Sequence, residues 1–174
     1  MPAVGRNNGA RIAKGDVLLF LDADAQFDEN FLKNVIDETE KRNLDVAGCC
    51  IYPLSDNAID KIFFVIFNLW IAITQFFYPN ASGGSIFCKK WLHKKVNGFD
   101  EAIRLSEDMD YVKRCGRIGK FRILKSVKAY VSPRRFEKEG RLKVGLKLLL
   151  SVFYRVFFGE IKSDTFNYDL RYRK

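Results

Sequence analysis

Apolar positions along the chain alternate between a strand-like and a helix-like period. Residues 16–22, DVLLFLD, form a short apolar run closed by acid at both ends, the pattern of a strand buried on both faces. Residues 5–14 ahead of it read as a short helix. After it, Asp28 is placed to cap a helix in which Phe31, Leu32, Val35, Ile36 and Thr39 recur at helical spacing up to Lys41-Arg42. Leu44 to Tyr52 returns as a second strand. Strand, helix and strand in succession predict a right-handed parallel crossover within an α/β sheet.

Residues 62–78, IFFVIFNLWIAITQFFY, are the most apolar stretch of the chain. A spanning helix needs about 20 residues, with a range that begins near 17, so length alone does not decide between spanning and lying flat. Lys61, Asn68 and Gln75 share one narrow face with Ala72, which favours a helix in an interface or packed on a sheet. Further on, residues 84–88 read as a strand, 90–96 as a helical turn and 98–101 as a loop. Ser106 then caps a helix with Met109, Tyr111 and Val112 on its apolar side, and residues 121–131 are strand-like. Residues 142–158 are helical in pattern, with Lys143, Lys147, Ser151 and Arg155 at four-residue steps: a basic amphipathic helix. The chain divides into residues 1–140, one α/β domain, and residues 141–174, this basic helix and a tail.

Composition narrows the class. With 174 residues, 48% hydrophobic and 14% aromatic, the chain is long enough for one sizeable core and lacks the signature of disorder. The four cysteines have no CxxC spacing and the single histidine, His93, has no cysteine or histidine cluster around it, so a zinc site is not expected. Cys49 and Cys50 read as small core residues, which fits a reducing compartment. No charged region leads into an apolar stretch at the N-terminus, so no cleaved secretory signal is expected. Residues 1–60 hold 6 Lys and Arg against 11 Asp and Glu, and the remainder 24 against 10, which makes the rest of the chain strongly basic. That asymmetry suits an anionic partner: nucleic acid, a membrane surface or a phosphate-bearing substrate. No nucleic-acid reader motif appears, and the basic residues interleave with Leu and Phe, so a nucleic-acid partner is not expected.

Several residue groups are placed for chemistry. Asp22-Ala23-Asp24 closes the buried strand, the edge of an α/β sheet where ligands bind, and two carboxylates at that break can face one hard cation. A solvated turn is the plain alternative. Glu107-Asp108 opens a helix, either as acidic capping residues or as the carboxylate that takes the proton from an attacking hydroxyl. Gly83-Gly84-Ser85 permits close backbone approach to a sugar or phosphate, or makes an ordinary turn. Arg134-Arg135 can clamp a diphosphate or be solvated surface.

In order and context these segments resemble the family 2 glycosyltransferases: RNNGARIAKGDVLLFLDAD, then ASGGSIFCKKWLHKKVNGFDE, then SEDMDY, then RRFEKEG, from about residue 5 to 140. The resemblance implies an incomplete GT-A type α/β domain with a mixed sheet flanked by helices. It assigns Asp22 and Asp24 to the metal, Mg²⁺ or Mn²⁺. Asp108 corresponds to the base, with Glu107 beside it. Arg6, Asn7, Ala23, Arg134 and Arg135 correspond to the donor site, and Gly83, Gly84 and Ser85 to the segment against sugar and acceptor. Members of that family begin with a βαβ half that holds base and ribose, whereas here Met1 is followed almost at once by the RN-x-G segment. The sheet is therefore expected to lack its first strands and to leave an unpaired edge beside DVLLFLD, open to self-association or to a partner chain. A histidine that some relatives use as a third metal ligand is absent near Arg134.

The implied activity is metal-dependent transfer of a sugar, with inversion, from a nucleotide-sugar donor to a glycan or lipid-linked acceptor. The implied location is cytoplasmic, at the inner face of the cell membrane, with peripheral membrane contact. The alternative is a catalytically incompetent, membrane-associated binding module built on the same fold.

Overall fold

The computed structural model describes residues 2–161, apart from the side chains of residues 135, 148, 149, 152, 153 and 156–158. The tail of residues 162–174 and the Arg135 side chain thus lie outside the described residues. Strands β1 (Val17–Leu21), β2 (Ala25–Phe27), β3 (Val46–Pro53), β4 (Ser85–Lys89) and β5 (Phe121–Val131) form one mixed sheet in the order β1-β4-β3-β5-β2. The helices are α1 (Pro2–Ile12), α2 (Phe31–Lys41), α3 (Ala58–Thr74), α4 (Lys90–Lys95), α5 (Glu107–Gly116), α6 (Arg134–Glu139) and α7 (Arg141–Phe158).

The expected strand, helix, strand unit is present as β1, α2 and β3, with a difference in pairing. β4 inserts between β1 and β3 and runs antiparallel to both, so the two outer strands are parallel without touching. β3 pairs instead in parallel with β5, and β2 closes the far edge antiparallel to β5. β1 has a strand on one side only, as expected for DVLLFLD. Its alternation decides the layers: Leu18 and Phe20 are buried, while Val17 and Leu21 are exposed.

Two clusters fill the two faces of the sheet. On one, Leu18, Phe20, Ile86, Cys88, Val46, Phe121 and Ile123 meet Ala3 and Ala10 of α1, Ile71 of α3, Leu92 of α4, and Tyr111, Val112 and Cys115 of α5. On the other, Phe87, Ala47, Cys49, Leu124 and Ala129 meet Phe31 and Val35 of α2. β5 is not one smooth strand. Cys49 faces Leu124 and the next residue, Cys50, faces Lys128, so three residues bulge out. Glu38 of α2 binds that bulge, accepting from the N–H groups of Lys125 and Ser126 and from the Ser126 hydroxyl.

Several local expectations shift. Asn30, not Asp28, precedes α2, and it makes no side-chain cap. α3 begins at Ala58, where the Asn57 side chain caps the Ile59 N–H, four residues before the apolar run starts. Ser106 precedes α5 in the left-handed region, φ 61°, without a side-chain cap. Arg134 and Arg135 open a short helix, α6, directly after Pro133. In α7 the polar stripe is split: Lys143 stays exposed, while Ser151 and Arg155 are buried, Arg155 pairing with Glu160 at 2.6 Å. No helix among the described residues is long and apolar enough to cross a membrane.

Gly48 of β3 marks the tightest contact between the sheet and the loop ahead of β4. A Cβ there would lie 2.3 Å from the Ala81 Cβ, and Ala81 is fully buried. We expect Gly48→Ala to lower stability by about 1–3 kcal/mol, the range for overpacking a closed core, read from urea denaturation midpoints. An unchanged midpoint would mean that the 81–84 loop does not press on β3.

Candidate active site

The site is built at the end of the sheet where β1, β3 and β5 finish, and its centre is a guanidinium. Arg6 points from α1 with Nη2 2.6 Å from Oδ1 of Asp22 and Nη1 2.9 Å from Oε1 of Glu107. Its guanidinium also lies 5.3 Å from the centre of the Phe99 ring. That ring stacks on Tyr111 at 3.9 Å and meets Phe20 edge-on, so an aromatic floor from β1, α5 and the 98–105 loop supports the cation. Asn7, the next residue, fixes the loop itself: its amide donates to the Phe99 carbonyl and accepts from the Phe99 N–H.

Glu107 and Asp108 are neighbours on the first turn of α5 and face different partners. Glu107 is buried against Arg6, whereas Asp108 is half-buried and accepts the Gly83 N–H at 2.5 Å and its neighbour Met109's N–H at 2.9 Å. Gly83 passes so near that a Cβ would lie 2.5 Å from Nη2 of Arg6 and 3.0 Å from Oδ2 of Asp108. Any side chain there would displace the guanidinium or the carboxylate. Gly84 and Ser85 are buried beside it, Gly84 next to Ile51, Ala129 and Val131.

Electrostatics follow from that crowding. Burial pushes the Glu107 carboxyl up to about 7, and nearby Asp108 adds to the shift against the pull of Arg6. Burial also raises Asp22 above the ordinary carboxylate range, opposed by Arg6 and reinforced by Asp108 and Asp24. Arg6 is shared between Glu107 and Asp22, and its pull on each does not outweigh their burial, so both hold their protons more tightly than in water.

Asp22 and Asp24 flank Ala23 in the turn from β1 to β2, with Asp24 exposed. Arg134, at the start of α6, reaches to 3.9 Å from Oδ2 of Asp24. Among the described residues no group of three His, Cys, Asp or Glu side chains is gathered to hold a metal ion. Asp22 already pairs with Arg6 through Oδ1, so its other oxygen and the exposed Asp24 are what a hard cation such as Mg²⁺ or Mn²⁺ would meet, with water and phosphate oxygens to complete its shell.

The structure therefore brings Arg6, Asp22, Gly83, Glu107 and Asp108 into one cluster, with Asp24 and Arg134 beside it. It spends the Asn7 amide on the Phe99 backbone and encloses Ser85. Sequence reasoning missed Phe99, whose role as the floor under Arg6 was hidden in what looked like a plain loop. The four cysteines are free, and burial pushes the Cys49 thiol up to about 12.

A mixed sheet flanked by helices, with its acidic and basic residues at the strand ends, is the build of a GT-A glycosyltransferase domain. The chain belongs to glycosyl transferase family 2, whose model matches residues 1–97. Glu107 and Asp108 lie beyond that matched segment. Among solved structures, S. aureus TarS residues 1–349 shares the fold at 20% identity and a TM-score of 0.58, over 99% of this chain and 55% of that one. The same protein in complex with UDP matches at 21% identity and 0.56, over 90% and 52%, and in complex with UDP-GlcNAc at 17% and 0.55, over 95% and 55%. This chain thus spans about half the length of those structures. No curated protein sequence matches it.

The raised Glu107 sets a pH dependence. Its folded value of about 7 exceeds the ordinary 4.5, so the folded state holds the proton more tightly than the unfolded chain. The stability this contributes is complete below about 4.5 and is lost as pH rises through about 7. Denaturation at pH values across that window should show wild type losing about 1–3 kcal/mol more than Glu107→Gln, which cannot ionise. Parallel curves for the two proteins would place the proton elsewhere.

Proposed function

We propose that this chain forms the catalytic portion of a glycosyltransferase that moves a sugar from a nucleoside diphosphate donor to a hydroxyl acceptor, with inversion at the anomeric carbon. The observation that carries the proposal is Asp108: a half-buried carboxylate held by two backbone N–H groups beside the Arg6, Asp22 and Glu107 cluster at the sheet's ligand-binding end. Family membership supports the reaction class, and the TarS complexes with UDP and UDP-GlcNAc support a uridine nucleotide sugar as the donor.

In this reading the acceptor oxygen attacks the anomeric carbon as the bond to the diphosphate breaks, and Asp108 takes the hydroxyl proton. Each Asp108 oxygen has a second lone pair beyond the backbone hydrogen bond it accepts, so holding the carboxylate does not disarm it. Glu107 acts through Arg6, keeping the guanidinium against Asp22 and the Gly83 loop. Arg134, half-exposed, is positioned to receive phosphate charge, with Arg135 following it in α6. Asp22 and Asp24 would hold Mg²⁺ or Mn²⁺, which supplies positive charge to the leaving diphosphate. A glycan or lipid-linked acceptor at the inner face of the cell membrane fits the apolar and basic surfaces of the chain.

Two variants test this reading against a catalytically incompetent binding module. Asp108→Asn should leave uridine diphosphate affinity nearly intact and lower transfer by about 100-fold or more, the usual contribution of a positioned base. Transfer at the wild-type rate would make Asp108 a structural residue. Asp24→Ala should weaken Mn²⁺-dependent uridine diphosphate binding by about tenfold or more, since a direct anionic ligand is lost, and titration calorimetry with and without Mn²⁺ reads the difference. A wild-type chain that binds the nucleotide and transfers nothing from any uridine nucleotide sugar would support the binding module.

A further inference from the structure

Helix α3 is built inside out. Its polar side chains face the protein: Asn68 donates to the Ile51 carbonyl of β3 and accepts from the Ile51 N–H, and Gln75, at the helix end, accepts from the Ile123 N–H of β5. Asp60, with no exposed surface, takes Arg141 at 2.9 Å and the Ser55 hydroxyl at 2.8 Å. The solvent side carries Ile59, Ile62, Ile66, Leu69, Ile73 and, just past the helix end, Phe76, each between 44% and 68% exposed. Their spacing alternates steps of three and four, so they form one stripe along the whole helix. Val65 lies beside the stripe and is also exposed. An ordinary surface helix presents polar residues to water, and a continuous apolar face of this length marks an interaction site.

The charges around the stripe select what covers it. Arg122 lies over the Phe76 ring at 4.7 Å, at the C-terminal end of the stripe. Lys128 lies over Tyr52 at 5.1 Å, next to the Asn68 contact with β3. α7 packs alongside α3 through Gly145 and Phe63 and adds exposed Lys143 together with exposed Leu142, Leu146 and Leu150. Lys61 is offset by Asp56 and Arg141 by Asp60, so neither adds net charge to this rim. A second copy docked on the stripe would bring two basic rims together, which repel. No described helix is both long and apolar enough to cross a bilayer. An apolar stripe with a basic border complements an anionic lipid surface instead.

We propose that α3 lies in the plane of an anionic membrane, with the Ile59 to Phe76 stripe in the acyl boundary and the basic rim among the headgroups. This rests on exposure and charge and is independent of the reaction proposed above. The contact then centres on α3 and is extended by the exposed Leu142, Leu146 and Leu150 edge of α7. α3 starts directly after β3, at the same end of the sheet as Asp22, so a docked membrane would lie alongside the site's opening.

The test is co-sedimentation of the full chain with vesicles of phosphatidylcholine alone and of two parts phosphatidylcholine to one part phosphatidylglycerol. Wild type should partition to the mixed vesicles, less so as salt rises and less to the neutral ones. Ile66→Asp and Ile73→Asp, both at exposed positions, should each reduce partitioning by about tenfold or more, with circular dichroism showing the fold retained. Arg122→Glu should reduce binding to the mixed vesicles only. The proposal is overturned if folded wild type does not partition to the mixed vesicles, or if the Asp variants bind as wild type does. It is equally overturned if sedimentation velocity shows a dimer that Ile66→Asp converts to monomer, which would assign the stripe to a second copy.

Discussion

The candidate site depends on one ion cluster, the Arg6 guanidinium held between Asp22 and Glu107 with Asp108 close by. It joins α1, the end of β1 and the first turn of α5 above the aromatic floor that also links them. A guanidinium suits the task because its planar fork offers several donors in fixed directions and stays charged when partly buried. Three carboxylates without it would repel one another in a poorly solvated space. Even with it, Glu107 and Asp22 are shifted upward, first by burial and then by the neighbouring carboxylates. The loop at Gly83 is shaped by that cluster, since the space a side chain would need is already filled by Arg6.

α3 shows a second constraint, in which backbone satisfaction takes precedence over amphipathicity. Ile51 of β3 and Ile123 of β5, on either side of the bulge, offer backbone groups to α3. Asn68 and Gln75 supply the missing hydrogen bonds, and that use of the helix's few polar residues leaves only apolar ones for the opposite side. The exposed stripe is thus linked to how the sheet edge is satisfied. α7 repeats the pattern on a smaller scale, with Ser151 and Arg155 inside and Leu142, Leu146 and Leu150 outside.

Most elements were legible in the sequence because their signals are local. DVLLFLD announced a strand, although it is not buried on both faces as its unbroken apolar run suggested, because it lies at the sheet edge with Val17 and Leu21 exposed. The recurrence of Phe31, Val35 and Thr39 announced the helix that covers the other face. The order of strands was not legible. β4 reaches its place between β1 and β3 from more than thirty residues downstream of β3, and no periodicity in residues 85–89 says which neighbours it will choose. β2 was missed because three residues at a sheet edge leave no pattern. For α3 the narrow polar face of Asn68 and Gln75 pointed to a helix packed on a sheet, which it is, but which backbone groups those side chains would meet was hidden because Ile51 and Ile123 lie 17 and 48 residues away. At the site, the resemblance picked out the acids, but the ion pair from Arg6 to Glu107 spans 101 residues and only the fold brings them within 2.9 Å.

The Glu107-Asp108 pair shows why two adjacent acids need not share a role. Successive residues on a helix point about 100° apart, so the first turn of α5 directs one carboxylate inward and the other toward the cleft. Glu107 meets Arg6 in a buried setting and holds its proton up to about 7, which makes it responsive near neutral pH but poorly placed to reach an acceptor. Asp108 is more open and is tethered at both oxygens by backbone N–H groups, one of them from the Gly83 loop. A base must touch the acceptor hydroxyl, and the tether sets Asp108 beside the glycine segment where the sugar is expected. The proton on Glu107 instead governs how firmly Arg6 is held, and through Arg6 how firmly Asp22 and the Gly83 loop stay in position. Under the reaction proposed above, Glu107, buried against Arg6, is the acid that positions the others, and the more open Asp108 is the one that meets the acceptor.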